Sequence, residues 1–274
     1  MAGRASAGGG EIQLTAGSEA APHTHISIVT AVHPQRTEYL TETAESIAVA
    51  RDSLGDHGIG IEWCLVVDGP GVDRSTVDKA GADHVLQLPI TQGVSAARNH
   101  ALALSSGDWV FPLDADDMLD VDGFTALATT RLADDIVWVA TNRCWLDDRS
   151  RTPRWIEEPR RWRRYQLEEE WTSPFPFHPN NIMVRRSIAL ATFGWPGLGV
   201  NEDVAFCLTA AAAGPGLTLP TLTVLYRRWS GQTIVRPGYH ESKVHSFATI
   251  EAAVNARRGR TGMPPIRAPR PSPH

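Results

Sequence analysis

The sequence predicts an α/β fold, a central mostly parallel sheet flanked by helices, and three observations carry that expectation. First, Ile26 to Val32 and Ile61 to Val67 are apolar runs of strand length, and between them Glu38 to Leu54 places Leu40, Ala44, Ile47 and Leu54 on one helical face. That strand–helix–strand alternation is the unit from which parallel sheets are built. Second, the pattern repeats, with His84 to Leu88 as a short strand and Val94 to Leu104 as a helix that aligns Ala97, Ala101 and Leu104. Third, Val110, Phe111 and Leu113 form a short apolar run between Gly107-Asp108 and the acidic cluster Asp114-Ala115-Asp116-Asp117. A strand buried on both faces looks like this, and open α/β sheets bind ligands at the carboxyl ends of such strands.

The second half is less regular. Asp135 to Thr141, Asn181 to Val184 and Thr218 to Arg227 read as strands, Asp203 to Ala213 as a helix stopped by Gly214-Pro215, and His240 to Ala256 as a closing helix. Cys144 to Trp171 is crowded with Trp, Arg and Glu and has no clean period. The first 24 residues, rich in Gly, Ala and Ser, and residues 258–274, rich in Pro and Arg, are expected to be disordered. With 274 residues, 42% of them apolar, the chain suits one core with a sub-lobe rather than two independent domains. A net charge of −5 gives no general attraction to nucleic acid or to an anionic membrane. Cys64, Cys144 and Cys207 are odd in number and far apart, which suggests buried thiols in a reducing compartment. No run reaches the apolar length of a membrane span and the N-terminus lacks a hydrophobic leader, so the expected location is the cytoplasm.

The chemistry concentrates in a few places. Asp114 and Asp116 alternate with the small Ala115, so in extended backbone their carboxylates point the same way. Oxygen donors of this kind suit a hard divalent cation. Asp68 lies in the turn-forming Asp68-Gly69-Pro70-Gly71, where its carboxylate serves either the turn or the N–H of a bound base. Arg98 follows Ser95, Ala96 and Ala97, so its guanidinium meets either a ligand or the Asp cluster. Glu202 and Asp203 open an apolar-faced helix, a position that the helix dipole favours by itself. Trp145, Trp155, Trp162 and Trp171 suit either sugar stacking or the packing of a lid.

Five segments in order, Ile26–His33, Leu65–Gly69, Gly93–Asn99, Leu113–Asp117 and Gly199–Phe206, resemble glycosyltransferase family 2 with its GT-A fold. The resemblance implies a nucleotide-diphospho-sugar transferase domain over residues 25–257, with a nucleotide-binding half (25–118) and an acceptor half (119–257). It places the nucleotide at Thr30, Ala31, Val32, His33, Asp68, Arg98, Asp114 and Ala115, and a divalent metal, Mn²⁺ or Mg²⁺, at Asp116 with His240 completing its shell. It makes Asp203, ahead of Glu202, the base of an inverting transfer, and assigns His178, Arg227 and Arg228 to the acceptor or the diphosphate. Where the family often has two consecutive Asp residues, this chain has Asp68-Gly69. Leu225 stands where processive relatives carry Gln before Arg-Trp, so the expected enzyme is soluble and non-processive, with a UDP- or dTDP-sugar favoured as donor and no nucleic-acid partner. The competing readings are a binding module that no longer turns over, an acidic-motif phosphatase, and a nucleotidyltransferase. The last two fit poorly, because the first strand ends in Thr30-Ala31-Val32-His33, with neither a nucleophilic Asp nor a Gly-rich phosphate loop.

Overall fold

The computed structural model describes residues 25–34, 36–72, 74–148, 155–229 and 237–270; the segment 1–24 lies outside the described residues. In chain order the elements are β1 (His25–Val32), α1 (Leu40–Gly55), β2 (Gly60–Val67), α2 (Arg74–Lys79), β3 (His84–Gln87), α3 (Val94–Leu104), β4 (Trp109–Pro112), β5 (Met118–Leu119) and α4 (Val121–Thr129). They continue with β6 (Trp138–Trp145), β7 (Arg160–Trp162), α5 (Gln166–Glu169), β8 (Ile182–Arg185), α6 (Arg186–Ala191), α7 (Glu202–Ala213), β9 (Gly216–Tyr226) and α8 (Tyr239–Arg260). Among the described residues no helix is long and apolar enough to cross a membrane.

One sheet runs β3-β2-β1-β4-β8-β6-β9-β5, with β7 paired to β9 off this path. Pairing is parallel through β3, β2, β1 and β4, antiparallel where β8 joins β4 and β6, and parallel again between β6 and β9. Each central strand feeds two cores, as alternating side chains require. Trp63, Leu65 and Val67 of β2 pack toward α1 and α4 with Leu40, Ile47 and Phe124, whereas Cys64 and Val66 pack on the opposite face with Ala97, Ala101 and Phe206. All three cysteines are buried and free. The register sets the edge that matters. Val32 pairs with Val67 and Val67 with Gln87, so β1, β2 and β3 end flush, and Leu113 donates its N–H to Val29 O as the chain leaves β4 (3.1 Å).

Several elements depart from the sequence reading, for identifiable reasons. The buried residues of α3 are Ser95, Ala97, Arg98, Ala101 and Leu102, while Leu104 is 36% exposed, because Arg98 turns inward to pair with Asp114 and Glu202, partners that periodicity does not register. Helix α4 was not anticipated, since it contains Gly123; there a Cβ would lie 1.5 Å from Leu222 O of β9, so close packing requires the residue that weakens the helix signal. Strand β6 runs to Trp145, beyond the expected Thr141, by pairing with β9 through a register shift after Ala140. The expectation of disorder from residue 258 is corrected through residue 270. Arg258 is 2% exposed, pairs with the fully buried Glu168 at 3.1 Å and donates from Nε to Pro264 O at 2.6 Å. Arg257 also binds Glu168. Asn255 and Ile266 exchange two hydrogen bonds of 2.9 and 2.7 Å, and Ala268 N donates to Glu251 (2.7 Å). A buried carboxylate with two guanidinium partners and matched backbone groups orders a segment whose composition alone looks unstructured.

Candidate functional site

The flush strand ends open on a cavity of about 580 Å³. Ala31, Val32 and His33 from the end of β1, and Asp68 after β2, form one side of it. Thr30 does not join them, because its hydroxyl faces the sheet interior and accepts Trp63 Nε1 at 2.9 Å. Asp68 lines the cavity while its two carboxylate oxygens accept the N–H groups of Gln92 (2.7 Å) and Gly93 (2.9 Å). It therefore fixes the loop that starts α3, where Gly93 has φ of 94°. Each oxygen keeps a second lone pair for a further donor.

After β4 the chain turns tightly, with Asp117 N donating to Asp114 O (3.1 Å) and Thr43 Oγ1 donating to the carbonyls of Ala115 (3.0 Å) and Asp117 (2.8 Å). The turn gathers the carboxylates of Asp114, Asp116 and Asp117, with oxygens within 4.8 Å of one another. Asp116 accepts Trp229 Nε1 at 2.7 Å, and Asp117 accepts the Arg227 amide at 2.9 Å. Burial, then the charge of Asp114, raises the pKa of Asp116; burial followed by Asp114 and Asp116 raises that of the enclosed Asp117 well above the usual carboxylate range. Three repelling carboxylates of this kind fit a hard cation, which relieves both the repulsion and the lost hydration. A second group, Glu62 with Cys64 and His84, lies elsewhere on the sheet. There the Glu62 oxygens already receive Ser27, His84 and Ser106, so little donor capacity remains.

Arg98, 4% exposed, connects this turn to the start of α7. Its Nη2 meets Asp114 at 2.6 Å and its Nη1 meets Glu202 at 3.1 Å. Burial alone would weaken the guanidinium's hold on its proton, but Asp114 and Glu202 outweigh it and keep the group charged. The 195–200 loop is held on α3 by Ser95 Oγ to Pro196 O (2.9 Å) and by paired bonds between Asn99 and Trp195. Asn201 caps α7 in left-handed backbone (φ 60°) and donates to Ser246 of α8 at 2.6 Å. Both Glu202 and Asp203 line the cavity; Glu202 is engaged by Arg98, whereas Asp203 Oδ1 accepts the neighbouring Val204 N–H, at 2.8 Å. Burial, then the neighbouring Glu202, pushes the Asp203 pKa up to about 7 against the pull of Arg98.

His178 lines the same cavity, and burial, followed by Arg143 and Arg98, lowers its pKa well below the usual histidine range, so its ring is neutral. His240, expected to complete the metal shell beside Asp116, is exposed and not among the lining residues, and the carboxylates that lie close enough to share an ion are Asp114, Asp116 and Asp117. Arg227 and Arg228 are also outside the lining. Arg227 pairs with Glu42 (2.6 Å) and caps the Asp116 carbonyl (3.0 Å), and Arg228 pairs with Asp147 (2.8 Å). The lining includes Arg36, Tyr39, Asn180, Trp229 and Tyr239, which the sequence reading did not single out. Asn180 carries the clearest role among them, donating to Asp114 at 2.9 Å.

The family model for glycosyl transferase family 2 matches residues 27–192, more than half of the chain. The succinoglycan biosynthesis protein ExoU of Rhizobium meliloti (strain 1021) is 32% identical over 128 residues, 42% of this chain and 37% of that protein. S. aureus TarS shares the fold with a TM-score of 0.63 and 16% identity over 84% of this chain and 39% of its own. Residues 1–349 of TarS in complex with UDP-GlcNAc superpose with a TM-score of 0.61 at 15% identity, covering 86% and 73% of the two chains. The mannosyltransferase PcManGT of Pyrobaculum calidifontis, in complex with GDP-Man and Mn²⁺, gives 0.56 at 15% identity, covering 86% and 66%. The chain thus spans less than half the length of ExoU or full TarS.

Proposed function

Since this chain belongs to glycosyltransferase family 2, we propose that it moves a sugar from a nucleoside-diphosphate donor to an acceptor hydroxyl, one bond per acceptor, with inversion at the anomeric carbon. One observation carries the reading: a single cavity is lined both by Asp114 and Asp116 of the cation-ready carboxylate group and by Asp203, whose pKa is pushed up to about 7 by burial and the neighbouring Glu202. The nucleoside lies against Ala31, Val32, His33 and Asp68. The remaining lone pairs of Asp68 suit the imide N–H of uracil or thymine, which favours a UDP- or dTDP-sugar. Asp116, with Asp114 and Asp117, would hold a divalent cation, Mn²⁺ or Mg²⁺, whose charge supports departure of the diphosphate. The GDP-Man and Mn²⁺ complex of PcManGT, a structural neighbour, is in keeping with that donor set.

Asp203 takes the proton from the acceptor hydroxyl as its oxygen attacks the anomeric carbon from the face opposite the diphosphate. The bond from the anomeric carbon to the diphosphate oxygen breaks, and the nucleoside diphosphate leaves. Glu202 stays paired with Arg98, which gives the two neighbouring carboxylates different tasks. Arg98 carries the charge balance between Asp114 and Glu202, and Asn180 orients Asp114.

A thermal-shift panel of UDP, dTDP and GDP, each with and without Mn²⁺, tests the reading. UDP or dTDP at a hundredfold excess over its Kd should stabilise the fold by about 2.7 kcal/mol, and only with the metal. In Asp116→Asn the metal-dependent part should vanish while the ligand-free melting point stays within a degree or two. Unchanged metal-dependent stabilisation in that variant removes Asp116 from the cation group, and equal stabilisation by all three nucleotides removes the assignment of Asp68 to the base.

A further inference from the structure

Trp155, from the Trp- and Arg-rich stretch that sequence patterns leave without a role, extends a row of rings that starts at the cavity with Tyr226 and His178. Tyr226 and His178 both line the cavity, with ring centroids 6.1 Å apart. His178 in turn lies 6.2 Å from Trp155, which forms the wall of a second cavity of about 150 Å³. Arg143, 8% exposed, holds the row together: its guanidinium lies 3.6 Å from the Tyr226 ring, 5.4 Å from Trp145 and 5.8 Å from Trp155. Downstream, Ile156 exchanges two hydrogen bonds with Asn142 (2.7 and 3.1 Å), and Arg160 to Trp162 pair antiparallel with Thr218 to Gly216. Residues 155–162 therefore run back along β9, away from its Tyr226 end. The second cavity is polar at its rim, where Glu157 and Glu158 are exposed.

We propose that the acceptor is a saccharide chain whose terminal residue sits beside Asp203 and whose preceding residues cross the His178–Trp155 ridge into the cavity lined by Trp155, Glu157 and Glu158. This inference rests on the glycosyltransferase reading and extends it to the length of the acceptor. A sugar ring offers an axial C–H face that packs on an aromatic ring and equatorial hydroxyls that seek carboxylates, and Trp155 with the two glutamates supplies both. A volume of about 150 Å³ is below the roughly 300 to 1,000 Å³ of a pocket that holds a whole ligand. It suits one ring of a molecule anchored elsewhere. The neutral His178 carries no charge to be desolvated when a sugar passes over it.

The test uses 1,4-linked gluco-, galacto- and manno-oligosaccharides of two and four residues, α- and β-linked, titrated by saturation-transfer NMR with UDP and Mn²⁺ present. At least one tetrasaccharide should bind about tenfold more tightly than its disaccharide. Trp155→Ala should remove that gain while UDP affinity is unchanged; Trp155→Phe should keep most of it, and Glu158→Gln, on the exposed rim, should reduce it without altering the melting point. Affinity independent of length, a gain that survives Trp155→Ala, or no binding by any member overturns the proposal. Hydrolysis of the sugar nucleotide with Mn²⁺ is measured alongside. If it persists while the length effect is absent, the extended acceptor is wrong and the transferase reading stands; if it is absent, the reading itself fails.

Discussion

Asp203→Asn should lower transfer to acceptor by about 10² to 10⁴ while nucleoside-diphosphate affinity stays the same. The substitution keeps size and much of the hydrogen bonding at the start of α7 but removes the power to accept a proton. The native enzyme should show transfer that rises with pH through about 7, because the deprotonated form of Asp203 is the active one and its pKa is raised to that region. Burial sets this value first, followed by Glu202, Arg98, the Val204 N–H that Asp203 accepts, and Asp114. Tyr239 also lines the cavity and feels the charges of Asp203 and Glu202. In the variant, the residual rate should lose that dependence. If Asp203 serves only the helix dipole, the substitution should instead cost about 0.3 to 1 kcal/mol of stability and leave the rate intact. A pH–rate profile with single-turnover kinetics separates the two.

Arg98→Met should destabilise the fold by about 3 kcal/mol, read as a fall in the urea midpoint. The guanidinium is almost fully buried between two carboxylates, and its removal leaves Glu202, 13% exposed, with an uncompensated charge. Asp114 is 34% exposed and partly solvated, so the cost belongs at the lower end of the range for broken buried pairs. Adding Glu202→Gln to the variant should recover part of the loss, since a neutral amide tolerates the absence of its cation. A loss below about 1 kcal/mol, or no recovery in the double variant, would show that Arg98 is not the electrostatic tie between the acidic turn and the start of α7.

The first half of the sheet was legible because its cues are local. Ile26 to Val32, Ile61 to Val67 and Val94 to Leu104 are bounded by turn residues and patterned at the right period, and the ends of Ile61 to Val67 and of the Val110 to Leu113 run bring Asp68 and Asp114 to one edge. Other features depend on pairings across the chain that no period encodes. Asn180 was invisible because its use comes from Asp114, far away in sequence, and Arg36 and Tyr39 because they lie in the connection after β1. Arg227 stays on the acidic turn, bonded to Asp116 and Asp117, while its guanidinium also pairs with Glu42, and Arg228 pairs with Asp147; none of these partners is encoded in the local sequence. The segment from 258 was misread for a related reason: composition reports what a stretch contains, not that Glu168 is waiting for its arginines.

That last segment has a practical consequence for anyone trimming the chain. Ser246 clasps the cap of the helix that carries Asp203, and twelve residues later, about 18 Å along the same helix, Arg258 is anchored to Glu168 and Pro264. The helix is thus a lever moored at both ends, and its outer mooring lies beside the exposed Arg260 and Arg267, within reach of trypsin. A nick there should slacken the far end and blunt transfer before any donor contact is touched, so partial digestion followed by parallel assays of UDP binding and transfer should show the second falling first. Equal decline of both would mean that the lever transmits nothing. Truncation at residue 257 would cut the mooring itself, and a boundary after Ala268 is the one that keeps it.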